Sequence, residues 1–278
     1  MILRVAWPPV DALRWERRPT LRRPVLIAAF EGWNDAGDGA SAAAAYLARR
    51  WHAERFAAID PEEFYDFTAT RPEVRIEGNA TRAIDWPENV FSFAPLGATA
   101  RDVVFLRGVE PQLRWRTFSS LIVEVATAVG VELVVTLGAL LAEVPHTRPV
   151  RVTGTAADQQ LVDRLGLRPS RYEGPTGILG VLQDALHRAG VPSASLWATV
   201  PAYVGQTPSP KATLALVSHL AELFDVSVPT VDLDVASAAY ERQVNEVVSA
   251  DELEEHELPD GDELIDEVER YLRDQGTS

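Results

Sequence analysis

The stretch Pro24-Val25-Leu26-Ile27-Ala28-Ala29-Phe30-Glu31-Gly32-Trp33-Asn34-Asp35-Ala36-Gly37-Asp38-Gly39 changes character halfway along. A short apolar run with proline at its head, Pro24–Phe30, has the pattern of a buried strand. After the turn, Ser41–Trp51 is rich in alanine, the strongest helix former, and predicts a helix. Strand, glycine-rich turn and helix form the opening unit of an α/β sheet, in which loops leaving the carboxyl ends of strands line the ligand crevice. The glycines allow close backbone approach or positive φ. Glu31, Asn34, Asp35 and Asp38 crowd side-chain oxygens into the same turn. Either Asp35 or Asp38 is also suited to cap the following helix by accepting its free N–H groups. The turn therefore locates a candidate site without naming a reaction.

Working outward, strands are expected at Phe56–Ile59, Phe64–Thr68, Val74–Glu77 and Val90–Ala94, a β-rich excursion over about 56–95 punctuated by Pro61, Pro72, Pro87 and Pro95. An alternating pattern follows. Asp102–Leu106 predicts a strand, Arg114–Val129 a helix, and Glu132–Leu137 a strand apolar enough for burial on both faces. Val150–Thr155 predicts a strand, Ala157–Leu165 and Thr176–Ala189 helices, Ser195–Val200 a strand and Lys211–Phe224 an amphipathic helix. Strands alternating with helices imply parallel βαβ units with helices on both faces. From Asp234 the pattern is purely helical, with helices expected at Val235–Ser249 and Glu263–Arg273. The expected division is a core domain over 1–233 and a helical C-terminal appendage over 234–278.

Among 278 residues, 46% are apolar and 24% charged, enough for a sizeable core. No cysteine is present, which excludes disulfides, thiolate metal sites and a cysteine nucleophile. The first residues carry Arg4, Arg14, Arg17 and Arg18 without a long apolar run, so no secretory signal is expected. Apolar runs are shorter than the about 20 residues that span a bilayer, and a soluble cytoplasmic protein is expected. Net charge is −15; residues 251–278 hold 12 acids and two arginines, a net of −10, leaving −5 for the rest. Such a chain lacks the basic face that nucleic acid requires. Lys211 is the only lysine among 26 basic residues. It sits in Thr207-Pro208-Ser209-Pro210-Lys211-Ala212, not in a glycine-rich phosphate loop, and is expected in the first turn of a helix.

Three further glycine-bearing turns are expected at strand ends: Gly138–Thr147, Gly154-Thr155 and Tyr172–Gly177. In a parallel sheet they share one rim with Glu31–Asp38. The candidate crevice residues are Glu31, Asn34, Asp35, Asp38, Gly138, Glu143, His146, Glu173 and Thr176. Glu143 and His146 are candidates for catalysis, because a carboxylate can orient an imidazole as general base; packing in the loop is the competing reading. Thr176 is suited either to cap the next helix or to sit beside an anion at its N-terminus. No nucleophile elbow, HExxH or GxGxxG motif occurs. The five histidines are dispersed, and neither a metal nor a cofactor is expected.

Several segments together resemble the proteasome assembly chaperone 2 family in its actinobacterial form. They are Phe30–Gly37, Phe67-Thr68-Ala69-Thr70-Arg71-Pro72, Gly138–Pro149 and Glu173-Gly174-Pro175-Thr176-Gly177-Ile178. The resemblance spans roughly residues 24–245. It implies a three-layer α/β/α domain with a mostly parallel central sheet, similar to the phosphorylase/hydrolase-like fold. It also implies a homo-oligomer, with a trimer favoured, and a proteasome-related protein partner. Some archaeal relatives end in a hydrophobic–tyrosine–any tail; here Tyr271 is not penultimate. The resemblance brings no catalytic residues with it. A non-enzymatic assembly factor is favoured. The alternative is a small-molecule enzyme of phosphorylase- or hydrolase-like type, or more weakly an ATP-dependent carboxylate–amine ligase, acting in the crevice.

Overall fold

A computed structural model describes residues 11–77, 81–97, 101–156, 158, 161–163, 167 and 173–247. Among the described residues ten strands occur: β1 Leu13–Trp15, β2 Val25–Glu31, β3 Glu54–Ile59, β4 Glu73–Glu77, β5 Thr81–Asp85, β6 Asn89–Pro95, β7 Asp102–Val109, β8 Leu133–Ala142, β9 Val152–Ala156 and β10 Ser193–Pro201. Helices among the described residues include α1 Gly39–Arg50, α2 Trp115–Ala128, α3 Ile178–Arg188, α4 Pro210–Phe224 and α5 Val231–Val247. Eight strands form one sheet in the order β1-β3-β6-β7-β2-β8-β10-β9, and β4–β5 form a separate hairpin.

The apolar character of β2 dictates the layering. Val25, Ile27 and Ala29 face one layer while Leu26, Ala28 and Phe30 face the other, because successive side chains of a strand alternate. All six are at most 1% exposed, so both faces of the sheet must be covered. Ala40, Ala43, Ala44 and Leu47 of α1 cover the first face together with Leu216, Val217 and Leu220 of α4. Phe118, Ile122 and Val125 of α2 cover the second, with Ile178, Leu182 and Leu186 of α3. The three-layer α/β/α architecture expected from the sequence is the one observed.

The sheet is more mixed than expected. Parallel pairing is confined to β7, β2, β8 and β10 at its centre. Antiparallel β6, β3 and β1 extend it on one side and β9 on the other. Of the antiparallel neighbours in this sheet only β6 and β7 are joined by a short connection; β3 reaches β6 through residues 60–88, which include β4–β5, and β9 reaches β10 through α3. Phe64–Thr68, expected as a strand, runs through turns. Phe64 and Tyr65 are instead buried beneath the sheet edge, where the Tyr65 hydroxyl donates to the Val109 carbonyl at 2.6 Å.

Helix α5 starts at Val231 and lies against α4. Its first turn is tied to α1: the Tyr46 hydroxyl donates to the Pro229 carbonyl and Asp232, and Arg50 pairs with Asp232 at 2.7 Å. The expected helix Glu263–Arg273 and the acidic stretch 251–278 lie outside the described residues, as does most of Ala157–Leu165.

Because Ile27 is fully buried in β2, Ile27→Ala leaves a cavity at the sheet centre. The expected loss of stability is about 2–5 kcal/mol, read as a lower urea midpoint at fixed protein concentration. An unchanged midpoint would contradict this account of the core.

Candidate functional site

At the carboxyl end of β2 the chain leaves the sheet, turns through Gly32–Gly39 and enters α1. The turn returns to the sheet once, where Ala139 of β8 donates its N–H to the Asn34 carbonyl at 2.8 Å. A second seam holds its other side. Gly37 N–H donates to the Gly205 carbonyl at 3.2 Å, and Ser209 N–H to the Gly37 carbonyl at 2.7 Å. Gly37 has φ +55°, and a Cβ there would stand 3.0 Å from the Thr207 carbonyl oxygen, so a glycine is needed for this seam to close.

Asp35 is the cap of α1. Its Oδ1 accepts the N–H groups of Ala40 at 2.7 Å and Ser41 at 3.1 Å, two of the unpaired amides of the first turn. Asp38, the other candidate, adopts φ +53° and its side chain makes no cap hydrogen bond. Asp35 is 5% exposed, and its Oδ2 has no hydrogen-bond partner among the described residues. Burial pushes its carboxyl up to about 6, with the Ser41 and Ala40 hydrogen bonds opposing and the Asp38 charge adding to the rise. Glu31 is also raised, first by loss of solvent and then by Asp38, against the pull of Arg107.

Glu110 joins this turn to the opposite layer. It follows β7, and its Oε1 accepts from Asn34 Nδ2 at 3.1 Å and from the Ile178 N–H at 2.8 Å. Its Oε2 accepts from the Trp33 N–H at 3.3 Å. One carboxylate thus holds the β2 turn and supplies α3 with an acceptor at its N-terminus. Thr176, expected as a possible cap of α3, is exposed and leaves that end to Gly177, which has no side chain. Glu110 escaped sequence reasoning because it stands about 68 positions from the helix it serves; its place at a strand end before Pro111 was the only local sign.

The second expected turn begins later than its sequence suggested. β8 continues through Ala142, paired with β10 up to Pro201, so Gly138 lies inside the strand. Trp197 stands opposite, and a Cβ on Gly138 would meet its ring carbons at 2.4 Å; the glycine serves indole packing. Gly154 likewise lies within β9, which runs antiparallel to β10, and does not end a parallel strand.

Glu143 and His146 do not form an acid–imidazole pair. Glu143 is exposed, whereas His146 is 2% exposed and has both ring nitrogens occupied. Nδ1 meets the Tyr203 hydroxyl at 2.8 Å and Nε2 meets Asn245 Oδ1 at 3.0 Å. The Tyr203 hydroxyl also accepts the His146 backbone N–H at 2.7 Å, an arrangement consistent with the ring proton on Nε2. Beside it, Lys211 Nζ donates to the carbonyls of His146 and Arg148 and pairs with Glu241 at 2.6 Å. His146 and Lys211 therefore fasten the 143–149 loop to α4 and α5. Glu173 is exposed, and Tyr172 lies outside the described residues.

The rim thus divides in two. Asn34 and Asp35 meet β8 and the start of α3 through Ala139 and Glu110, while Glu143 and His146 belong to a separate junction with α5. Between the β2 turn, the end of β8 and Trp197 lies an open crevice of about 340 Å³. Among the described residues no group of three or more acids and histidines has the arrangement of a metal site. No helix among them is long and apolar enough to cross a membrane.

Residues 29–248 match the profile of the PAC2 family, so the chain belongs to that family. A PAC2 family protein from Streptomyces avermitilis is 49% identical, with a TM-score of 0.78 over 82% of this chain and 97% of that one. A proteasome-assembly chaperone homologue from Mycobacterium tuberculosis is 46% identical, with a TM-score of 0.74 over 81% and 96%. At 17% identity, the archaeal proteasome activator PbaB of Pyrococcus furiosus shares the fold, with a TM-score of 0.70 over 84% and 97%. No match is found among curated proteins.

The buried carboxyl of Asp35 has a pH signature. Its pKa rises from 3.8 to about 6 on folding, so the folded chain holds an extra proton between those values. Its contribution to stability therefore falls as pH rises through that window. Asp35→Asn keeps an oxygen for the two amides and removes the buried charge. Between pH 4 and pH 7 the stability of the variant relative to the parent should rise by on the order of 1–3 kcal/mol, measured by urea unfolding. A difference independent of pH would refute the assignment.

Proposed function

We propose that this PAC2 protein is a non-enzymatic assembly factor that works as a cytoplasmic homo-oligomer, with a trimer favoured, and binds a proteasome-related protein. The M. tuberculosis relative is a proteasome-assembly chaperone homologue, and at 46% identity it supports carrying that role to this chain. The observation that carries the reading on this molecule is the β4–β5 hairpin. Alternation along its strands puts Val74 and Ile76 on one face, with Ile84 opposite Val74. These side chains are 62%, 72% and 54% exposed, and Trp86, stacked edge-on against Phe67, is 42% exposed beyond them.

A two-stranded hairpin is marginal in water and gains stability when its apolar face is covered. Contiguous exposed apolar surface marks protein contact. The opposite face carries the Arg75–Asp85 ion pair and suits solvent. Among the residues offered for the enzymatic alternative, His146 is engaged by Tyr203 and Asn245 and makes no pair with Glu143.

The test places charge on the apolar face. Sedimentation equilibrium of the parent should give a multiple of the chain mass, and the double variant Ile76→Asp, Ile84→Asp should shift toward the monomer with unchanged circular dichroism. The same variant should lose capture of purified proteasome α subunits. An unchanged mass together with unchanged capture would overturn the reading.

A further inference from the structure

The crevice at the carboxyl ends of β2 and β8 has a chemistry of its own, separate from the hairpin. It sits where the chain reverses direction across the sheet. The connection leaving β2 runs through α1 toward β3 on one side of the sheet, and the chain leaving β8 runs to the other side, to β9 and then through α3 to β10. Crevices at such switch points are the usual ligand sites of open α/β sheets.

Its walls select among ligands. Anions commonly bind the free N–H groups of a helix N-terminus. Here the Ala40 and Ser41 amides of α1 are already taken by Asp35. The lining instead offers Trp33, which is 42% exposed, and the partly buried Trp197, with Asp35, Asp38 and Gln206. None of its described lining residues is basic. Asp35 is 95% buried by its 5% exposure, and its Oδ2 is left without a partner among the described residues. Glu31 lies close enough to Asp38 for the two charges to interact. The charge of Arg107 acts on Glu31 and is itself opposed by that of Arg49, and its Nε is buried without a partner among the described residues.

We infer that this crevice binds a guanidinium group, stacked on an indole and paired with the exposed carboxylate of Asp38. Indole faces attract cations, most often the guanidinium of arginine. A planar fork of N–H donors also matches carboxylate oxygens two at a time. A divalent metal fits less well, since the acids present do not converge as a metal-binding group among the described residues. The inference concerns a second surface on the proposed assembly factor. It stands or falls apart from the hairpin contact.

The experiment uses the full chain with hairpin intact, and ligand-observed NMR to follow binding. Agmatine carries the guanidinium as a small molecule, and the peptide amide Gly-Arg-Gly carries it on a backbone. Glutarate and Mg²⁺ are the counter-probes. Saturable binding of either guanidinium probe supports the inference. Tighter binding of the peptide indicates a protein source, and tighter binding of agmatine a free metabolite. Asp38→Asn should weaken binding by about fivefold or more; asparagine tolerates the positive φ of that position, so the fold is kept. Trp33→Leu should weaken it by about twofold to fivefold. No saturable binding, affinity unchanged in Asp38→Asn, or displacement by glutarate or Mg²⁺ would each overturn the assignment. None of these outcomes bears on oligomer mass, so failure here is distinguishable from failure of the hairpin reading.

Discussion

Burial of β2 on both faces is the constraint from which the remaining architecture follows. A strand whose six apolar side chains are all shielded needs neighbours on both edges and helices above and below. β7 and β8 supply the edges, and α1 with α4 and α2 with α3 supply the layers. Parallel pairing then brings the carboxyl ends of β7, β2, β8 and β10 to one rim. The glycine- and acid-rich turn after β2 must open there, because a parallel strand can continue only through a crossover. The location of the crevice is thus a consequence of sheet topology.

At that rim, carboxylates do structural work that limits what chemistry remains. Asp35 spends one oxygen on α1 and leaves the other buried, a cost expressed as a raised pKa. Glu110 spans two layers, holding Asn34 and Trp33 on one side and Ile178 on the other. Removing such a group strands several polar partners at once, and each buried orphan costs free energy. Lys211 has an analogous place at the far junction, where it ties the loop after β8 to α5 through two carbonyls and Glu241. These ties fasten each loop to the helices that flank it.

The chain shares the PAC2 scaffold with relatives of 46–49% identity. The hairpin projects apolar side chains outward, whereas the crevice presents indoles and acids. Two surfaces of such different character suit two different contacts, one dominated by apolar burial and one by charge and stacking.

Local pattern alone determined much of the fold. The apolar run Pro24–Phe30, the alanines of α1 and the alternation of strands with helices after Asp102 announced an α/β/α protein, because each signal lies within one element. The turn at 31–38 was legible for the same reason, as were its two possible caps. Which aspartate caps α1 was not, since the answer depends on the left-handed backbone of Asp38 and the return of the chain to Ala139. Nor was the dissolution of the Glu143–His146 pair, decided by Tyr203 and Asn245 from elements 57 and 99 residues away. The antiparallel flanks, the strand position of Gly138 beneath Trp197 and the reach of Glu110 to α3 share that origin. Residue types and their spacing encode the elements; the pairing of groups distant in sequence exists only after those elements pack.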